Sequence, residues 1–310
     1  MKTLNLVNLE QSDIKYKPQK FPDGQQNIVL LSDNDQYEDR LFELKHGMSV
    51  NIKSRLNNWR DLELIVAAVA SLRELSVEEI HLYTPYFVGA RSDRKFEEGG
   101  NNYIKHVIAP VINSLGFKTV TILDPHSDVL EACVNGFKKL NNSDLVRYAL
   151  IHQNNLDGVK AIVNSSTCIL MAPDAGASKK IYKLAKDIGY TGPIIVCDKE
   201  RDIDGNIIKT IVPLKSDLFD YNEDIIIIDD ICDGGRTFIE IAKEIEEYFS
   251  DPYKNGWQPK KYLIVTHGIF SAGFKELGKY FDGIYCTNSY RDVADNEYEI
   301  KTNIKQLNVF

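Results

Sequence analysis

Ile225-Ile226-Ile227-Ile228-Asp229-Asp230-Ile231-Cys232-Asp233-Gly234-Gly235-Arg236-Thr237 is the stretch on which the reading of the chain turns. Four consecutive β-branched residues make a strand apolar on both faces, the pattern of a strand buried within a parallel sheet. Two carboxylates stand at its C-terminal end, a short loop with Gly234 and Gly235 follows, and a helix opens near Thr237. In an open α/β sheet, ligands bind beyond that end of the strands. Backbone N–H groups of such a loop and helix start can hold a phosphate dianion. Asp229 and Asp230 are wrong for phosphate but suit the vicinal hydroxyls of a sugar. One loop therefore offers an anion cradle next to a diol clamp, which is what a ribose 5-phosphate needs. For a generic Asp-Asp after a strand, capping of the next helix is the commoner role. The four-Ile strand, the Gly pair and Thr237 favour the sugar phosphate.

The 310 residues suffice for about two domains. Hydrophobic content of 43% and charged content of 26% are those of an ordinary globular chain. A formal charge of −8 argues against a general nucleic-acid surface, which needs clustered Lys and Arg. Cys133, Cys168, Cys197, Cys232 and Cys286 are scattered, without a C-x-x-C pair, so neither a disulfide framework nor a zinc site is expected and a reducing cytoplasm is. The N-terminus has no signal-peptide core, and no apolar run approaches a membrane span.

Strand-like and helix-like segments alternate, indicating α/β architecture with a largely parallel sheet. The spacing predicts helices over Asp61–Leu75, from Tyr103 to a stop at Gly116, over Ala177–Ile188, Arg236–Phe249 and Ala272–Tyr280. Strands are predicted at Glu79–Tyr83, Lys118–Leu123, Thr167–Met171, Pro193–Cys197, Ile207–Val212, Asp224–Ile228 and Tyr262–Thr266. Asn141-Asn142-Ser143-Asp144 is a polar break between two strand-rich halves, read as a tandem repeat of one α/β domain. The boundaries expected are 1–148 for a first domain, 149–290 for a second, and 291–310 for a C-terminal segment packing back on the first. Asp251–Lys261 reads as a surface loop.

The run Asp229–Thr237 resembles the phosphoribosyl-pyrophosphate loop of the type I phosphoribosyltransferase fold, though Gly-Gly-Arg stands where that loop has Thr-Gly-Gly. Tyr86-Phe87-Val88-Gly89-Ala90-Arg91-Ser92-Asp93-Arg94-Lys95 closely resembles the ATP-binding loop of ribose-phosphate pyrophosphokinases, with Ser92 where that family has Gln. Thr121-Ile122-Leu123-Asp124-Pro125-His126-Ser127 is similar to the family's Asp-Leu-His segment, and Lys20-Phe21-Pro22-Asp23-Gly24-Gln25 to its Arg-Phe-Ser-Asp-Gly-Glu. Cys197-Asp198-Lys199-Glu200-Arg201 parallels its Asp-Lys-Arg-Arg, and Pro173-Asp174-Ala175-Gly176 its Pro-Asp-Ile-Gly.

The resemblance implies a tandem pair of type I phosphoribosyltransferase-like domains, each a mostly parallel sheet flanked by helices. It implies pyrophosphate transfer from Mg-ATP to ribose 5-phosphate, giving 5-phosphoribosyl 1-pyrophosphate and AMP for nucleotide or NAD synthesis. Catalysis falls to Lys199, Arg201 and His126. ATP is assigned to Phe21, Asp23, Gln25, Arg91, Ser92, Arg94 and His126, the first three reaching in from a neighbouring subunit. Ribose 5-phosphate is assigned to Asp229, Asp230, Asp233, Gly234, Gly235, Arg236 and Thr237. Mg²⁺ is the implied cofactor, with Asp124, His126 and Asp174 as its candidate contacts. A homo-oligomer, dimer or hexamer, is expected, with no nucleic-acid or membrane partner. The stretch before Phe21 is too short for the family's first strand–helix unit at full length. Two other readings stay open: a salvage phosphoribosyltransferase, which gives no role to Arg91–Lys95, His126 and Lys199, and a non-catalytic regulatory homologue. His46, His81, His106, His152 and His267 read as surface or structural side chains.

Overall fold

A computed structural model describes residues 1–31, 48–154, 168–201, 207–214, 223–250, 258–293 and 303–310. The chain falls into two compact units, Met1–Leu140 with Val309–Phe310, and Asn141–Asn308. The greater part of the Asp251–Lys261 loop, His46 and the side chain of His152 lie outside the described residues.

In the first unit five strands, β1 (Lys2–Asn5), β4 (Ser49–Lys53), β5 (Glu79–Tyr83), β6 (Thr119–Leu123) and β7 (Phe137–Leu140), form one sheet in that order. All four of its pairings are parallel. The strand Lys2–Asn5 was not among the predicted elements; it is four residues long and is followed by a single turn, Leu9–Gln11, where a longer unit would carry a helix. An antiparallel hairpin of β2 (Tyr16–Lys20) and β3 (Gln26–Leu30) stands outside the sheet. Helix α1 (Trp59–Glu74) starts where Asn58 accepts from the N–H groups of Arg60 and Asp61 at 2.8 and 3.2 Å, a side-chain cap for groups the helix cannot satisfy. Its Leu62, Ile65 and Leu72 join Ile52, Ile80 and Leu82 of the sheet in the core. The helix expected from Tyr103 opens with a wide turn over Ile104–Ile108, continues as α2 (Ala109–Ser114), and stops at Gly116, whose φ of 67° a side chain would disfavour. A short helix, α3 (Val129–Cys133), follows β6.

The second unit holds a six-stranded parallel sheet in the order β15 (Asn303–Leu307), β14 (Gly283–Thr287), β13 (Lys261–Gly268), β12 (Asp224–Cys232), β8 (Cys168–Ala172), β9 (Ile194–Val196). Helices α4 (Ser143–Asn154), α5 (Ser178–Ile188) and α6 (Arg236–Phe249) accompany it, and a hairpin of β10 (Asp198–Arg201) and β11 (Ile207–Ile211) follows β9. The four isoleucines of β12 are buried on both faces, as their pattern predicts. Ile225 and Ile227 pack with Phe238, Ile241 and Ile245 of α6, while Ile226 and Ile228 pack with Leu145, Val146, Ile181 and Leu184 of α4 and α5. Each such burial is worth about 1.5–3 kcal/mol against leaving the side chain in water.

Two expectations are corrected. β12 does not end at Ile228 but runs to Cys232, because the ladder to β13 continues through Asp229↔Val265, Ile231↔His267 and Cys232↔Gly268. Ala272–Tyr280 is not a helix; only Leu277–Lys279 forms a turn of one. Gly273 sits at φ 67° and Gly278 is a poor helix former, so Phe274, Leu277 and Phe281 reach the core from successive turns.

The order β9-β8-β12-β13 contains a reversal. From β8 the chain moves outward to β9, then returns to the other side of β8 as β12. The C-terminal ends of β8 and β12 therefore flank a topological switch point, the crevice where open α/β sheets bind ligands.

Candidate active site

At the switch point β8 delivers Asp174 and β12 delivers Asp229 and Asp230. Asp174 caps the turn Ala175–Ala177, its Oδ1 accepting from the Ala177 N–H at 3.2 Å. Its other oxygen, Oδ2, meets the Lys199 ammonium at 2.7 Å. Lys199 lies on β10 opposite Thr210, and its side chain is only 13% exposed. The two residues were singled out from separate motifs, and the fold brings them into contact. Arg201 ends β10, but its side chain is outside the described residues.

At the end of β12 the carboxyl groups of Asp229 and Asp230 lie within hydrogen-bond reach of each other. Asp229 turns back, its Oδ1 accepting from the Asp230 N–H at 2.9 Å. Desolvation, then the charge of Asp230, pushes the Asp229 carboxyl well above the usual carboxylate range. Asp230 is buried and paired with Lys180 of α5 at 2.9 Å.

Beyond Cys232 the loop turns under control of the segment after β13. Ile269 and Phe270 donate N–H groups to the Cys232 carbonyl at 2.9 and 3.1 Å, and the Ser271 hydroxyl donates to Asp233 Oδ1 at 2.6 Å. Gly234 is exposed, and Gly235 takes φ 81° directly before α6. A Cβ at Gly235 would lie 2.9 Å from Leu277 Cδ2, so glycine is required for space as well as conformation. With Gly235 in the capping place, no side chain caps the first turn of α6, and its N–H groups open onto the loop where an anion would sit. Arg236 is 87% exposed and holds Glu240 Oε1 at 2.7 Å, while Glu240 Oε2 accepts from Thr210 of β11 at 3.1 Å. One carboxylate thus ties the hairpin that carries Lys199 to the helix that opens the Gly loop.

In the first unit, β5 and β6 pair through Tyr83↔Thr121, and Leu123 donates its N–H to the Pro85 carbonyl at 3.1 Å. The loops that leave these strands therefore start side by side. Tyr86 and Phe87 are buried and anchor the first loop. Gly89 follows at φ 74°, with the Tyr103 ring so close that a Cβ would stand 2.5 Å from it. Arg91, Arg94 and Lys95 project from this anchored loop into solvent, Arg94 over the Phe96 ring at 5.3 Å, and Ser92 is half-buried. On the second loop Asp124 is buried at φ 41° and His126 is exposed.

Phe21, Asp23 and Gln25 sit on the β2–β3 hairpin tip. Phe21 donates its N–H to the Gln25 carbonyl at 2.9 Å, and Asp23 Oδ1 accepts from the Gln25 N–H at 3.1 Å, so this carboxylate shapes the turn. The Phe21 ring is 43% exposed. The hairpin leans on α1 through Gln26, which donates to the Arg60 carbonyl at 2.9 Å.

Among the described residues no group of three or more His, Cys, Asp or Glu could hold a metal as a closed cage. Mg²⁺ needs no such cage, since it keeps its waters and takes one or two carboxylates beside substrate phosphates. Asp174, 35% exposed and already holding a cation in Lys199, is such a carboxylate. Lys180, Glu240 and Ser271 were missed from sequence, since each looks like an ordinary surface or loop residue until its partner across the fold is known. His267, read as structural, is buried and bonded to the Ser289 hydroxyl at 2.8 Å. No helix among the described residues is long and apolar enough to cross a membrane.

No family model matches the chain. It is 27% identical over 256 residues to the ribose-phosphate pyrophosphokinase of Mycoplasmopsis pulmonis, covering 82% of this chain and 70% of that one. The ribose-phosphate pyrophosphokinase of Saccharolobus solfataricus is 24% identical over 230 residues, 74% of this chain and 71% of that one. In fold, the chain is similar to the phosphoribosylpyrophosphate synthetase of Mycobacterium smegmatis, with a TM-score of 0.70 over 97% of this chain and 88% of that chain at 15% identity. Matches of that breadth make the chain similar in sequence to enzymes named ribose-phosphate pyrophosphokinase, and its fold is that of a phosphoribosylpyrophosphate synthetase.

Proposed function

We propose that the chain transfers pyrophosphate from Mg-ATP to the anomeric hydroxyl of ribose 5-phosphate, releasing AMP and 5-phosphoribosyl 1-pyrophosphate. The observation that carries the reading is the switch-point crevice, where an uncapped helix start, a carboxylate pair and a lysine on an acidic partner meet. The α6 N–H groups with Gly234, Gly235 and Thr237 hold the 5-phosphate, and Arg236 adds charge to it. Asp229 and Asp230 accept from the ribose hydroxyls, and Asp233, fixed by Ser271, sets the loop.

Arg91, Ser92, Arg94 and His126 take the triphosphate, and Phe21, Asp23 and Gln25 of a neighbouring copy take the base. The anomeric oxygen attacks the β-phosphorus and AMP leaves. Little covalent work falls to the protein, so alignment and charge neutralisation carry the rate. Lys199 neutralises the charge that develops on the moving pyrophosphate, with Arg201 beside it on the same strand. In the second unit Asp174 would hold Mg²⁺; in the first, Asp124 would, with His126 on the phosphates. Bound there, the ion would neutralise polyphosphate charge. Closure of the β10–β11 hairpin excludes water that would otherwise hydrolyse ATP.

The test is AMP release from ATP and Mg²⁺ with and without ribose 5-phosphate. Sugar-dependent AMP supports the proposal. Consumption of phosphoribosyl pyrophosphate with a free base, without ATP, would favour a salvage transferase instead.

A further inference from the structure

Lys180 occupies a place that needs explaining. It lies in the first turn of α5, where a cation opposes the helix dipole. It follows Lys179, which is exposed, whereas Lys180 is only 33% exposed. Its ammonium lies 2.9 Å from Asp230 Oδ2, a carboxylate 5% exposed. An ionised carboxylate buried that far is strongly disfavoured unless a counter-charge reaches it. The alternation of β12 shows why this lysine meets this aspartate. Ile226 and Ile228 face α5, so Asp230 points the same way, towards the helix that begins just after Asp174. Asp229 is tied to the backbone of Asp230 and lies against its side chain. Two carboxyl groups so close disfavour the ionisation of both, and Lys180 brings a positive charge to Asp230.

We propose that Lys180 is a positioning residue for the sugar: it holds the Asp230 carboxyl in one rotamer, so that this group accepts from a ribose hydroxyl and ribose is selected over 2-deoxyribose. The proposal rests on the reading of the β12 end as a ribose site, and it assigns selectivity to a residue outside the carboxylate pair itself. Methionine at 180 would keep the stem and lose the charge. Arginine would keep the charge.

The experiment is calorimetric titration of the full chain with ribose 5-phosphate and, separately, with 2-deoxyribose 5-phosphate. For Lys180→Met the expected result is an affinity loss of about tenfold for ribose 5-phosphate, equivalent to about 1.4 kcal/mol. The deoxy sugar should change less than about threefold, since it lacks a hydroxyl for Asp230 to hold. Lys180→Arg should restore the selectivity. Removing one partner of a buried pair can prevent folding, so the double variant Lys180→Met/Asp230→Asn, which neutralises both, is titrated beside Asp230→Asn. The two should show the same selectivity, because Lys180 acts through Asp230. Equal losses for both sugars, unchanged binding in Lys180→Met, or a further loss in the double variant would each overturn the proposal. A wild type that binds neither sugar would overturn the ribose reading itself, and a wild type that binds beside an unaffected Lys180→Met overturns the role of Lys180 alone.

Discussion

The Lys199 ammonium and the Asp174 carboxylate form one ion pair, 2.7 Å apart, across the base of the switch-point crevice. A cation on the β10–β11 hairpin is thereby held on an acid at the end of β8. Lys199→Ala should lower kcat on the order of a thousandfold, as the loss of a transition-state cation does in phosphoryl transfer. Steady-state AMP release should show the KM values for both substrates within about threefold of wild type, because the loss falls on a group that acts late. A rise in KM with kcat unchanged would place Lys199 in ground-state binding.

Gly235→Ala tests the loop geometry. Residue 235 has φ 81°, and a methyl there meets the Leu277 side chain at 2.9–3.1 Å. A left-handed conformation costs an L-residue about 1–2 kcal/mol before any clash. Thermal unfolding should shift down by about 2–8 °C, with ribose 5-phosphate affinity falling as well. An unchanged melting temperature would mean that the loop relaxes freely.

Asp229 gives a pH signature. Its folded-state pKa is raised, by desolvation first and by the Asp230 charge second, so the native state holds a proton that the unfolded chain releases. Stability from this group is full below the ordinary aspartate pKa and is lost as pH rises through the raised one. Asp229→Asn removes the titration. Melting curves should show the variant gaining on wild type as pH rises above the ordinary aspartate range, and a difference that stays constant with pH would contradict the assignment.

Arg236 separates binding from stability. Its pair with Glu240 is largely exposed and should contribute about 0–1 kcal/mol to folding. A charge-assisted hydrogen bond to a phosphate is worth about 1.5–3 kcal/mol. Arg236→Ala should therefore leave the melting temperature within about 2 °C of wild type while raising the KM for ribose 5-phosphate about tenfold or more. A shift in melting temperature without a change in KM would assign Arg236 to the scaffold.

Sequence patterns disclosed the elements whose signals are local. The four isoleucines of β12 and the 3.6-residue stripe of α6, with Phe238, Ile241, Ile245 and Phe249 inward, carry their own burial pattern. The continuation of β12 through Asp229 and Asp230 was not legible, because it depends on backbone pairing with β13, a partner more than thirty residues away in the chain. Lys2–Asn5 is too short to show alternation. Phe274, Leu277 and Phe281 follow helical spacing, but two glycines among them let turns satisfy the same burial. In the site, motifs pointed to Lys199 and Asp174 separately, and only the fold makes them a pair. Lys180 and Glu240 had no motif at all, since a polar contact between elements leaves no trace in either one.

The most direct test of the account is the fate of the γ-phosphorus of ATP. With γ-labelled ATP, Mg²⁺ and ribose 5-phosphate, pyrophosphate transfer as a unit predicts that the label appears on a sugar diphosphate in step with AMP. Label released as inorganic phosphate, or moved to the sugar as a single phosphate with ADP left behind, would contradict it.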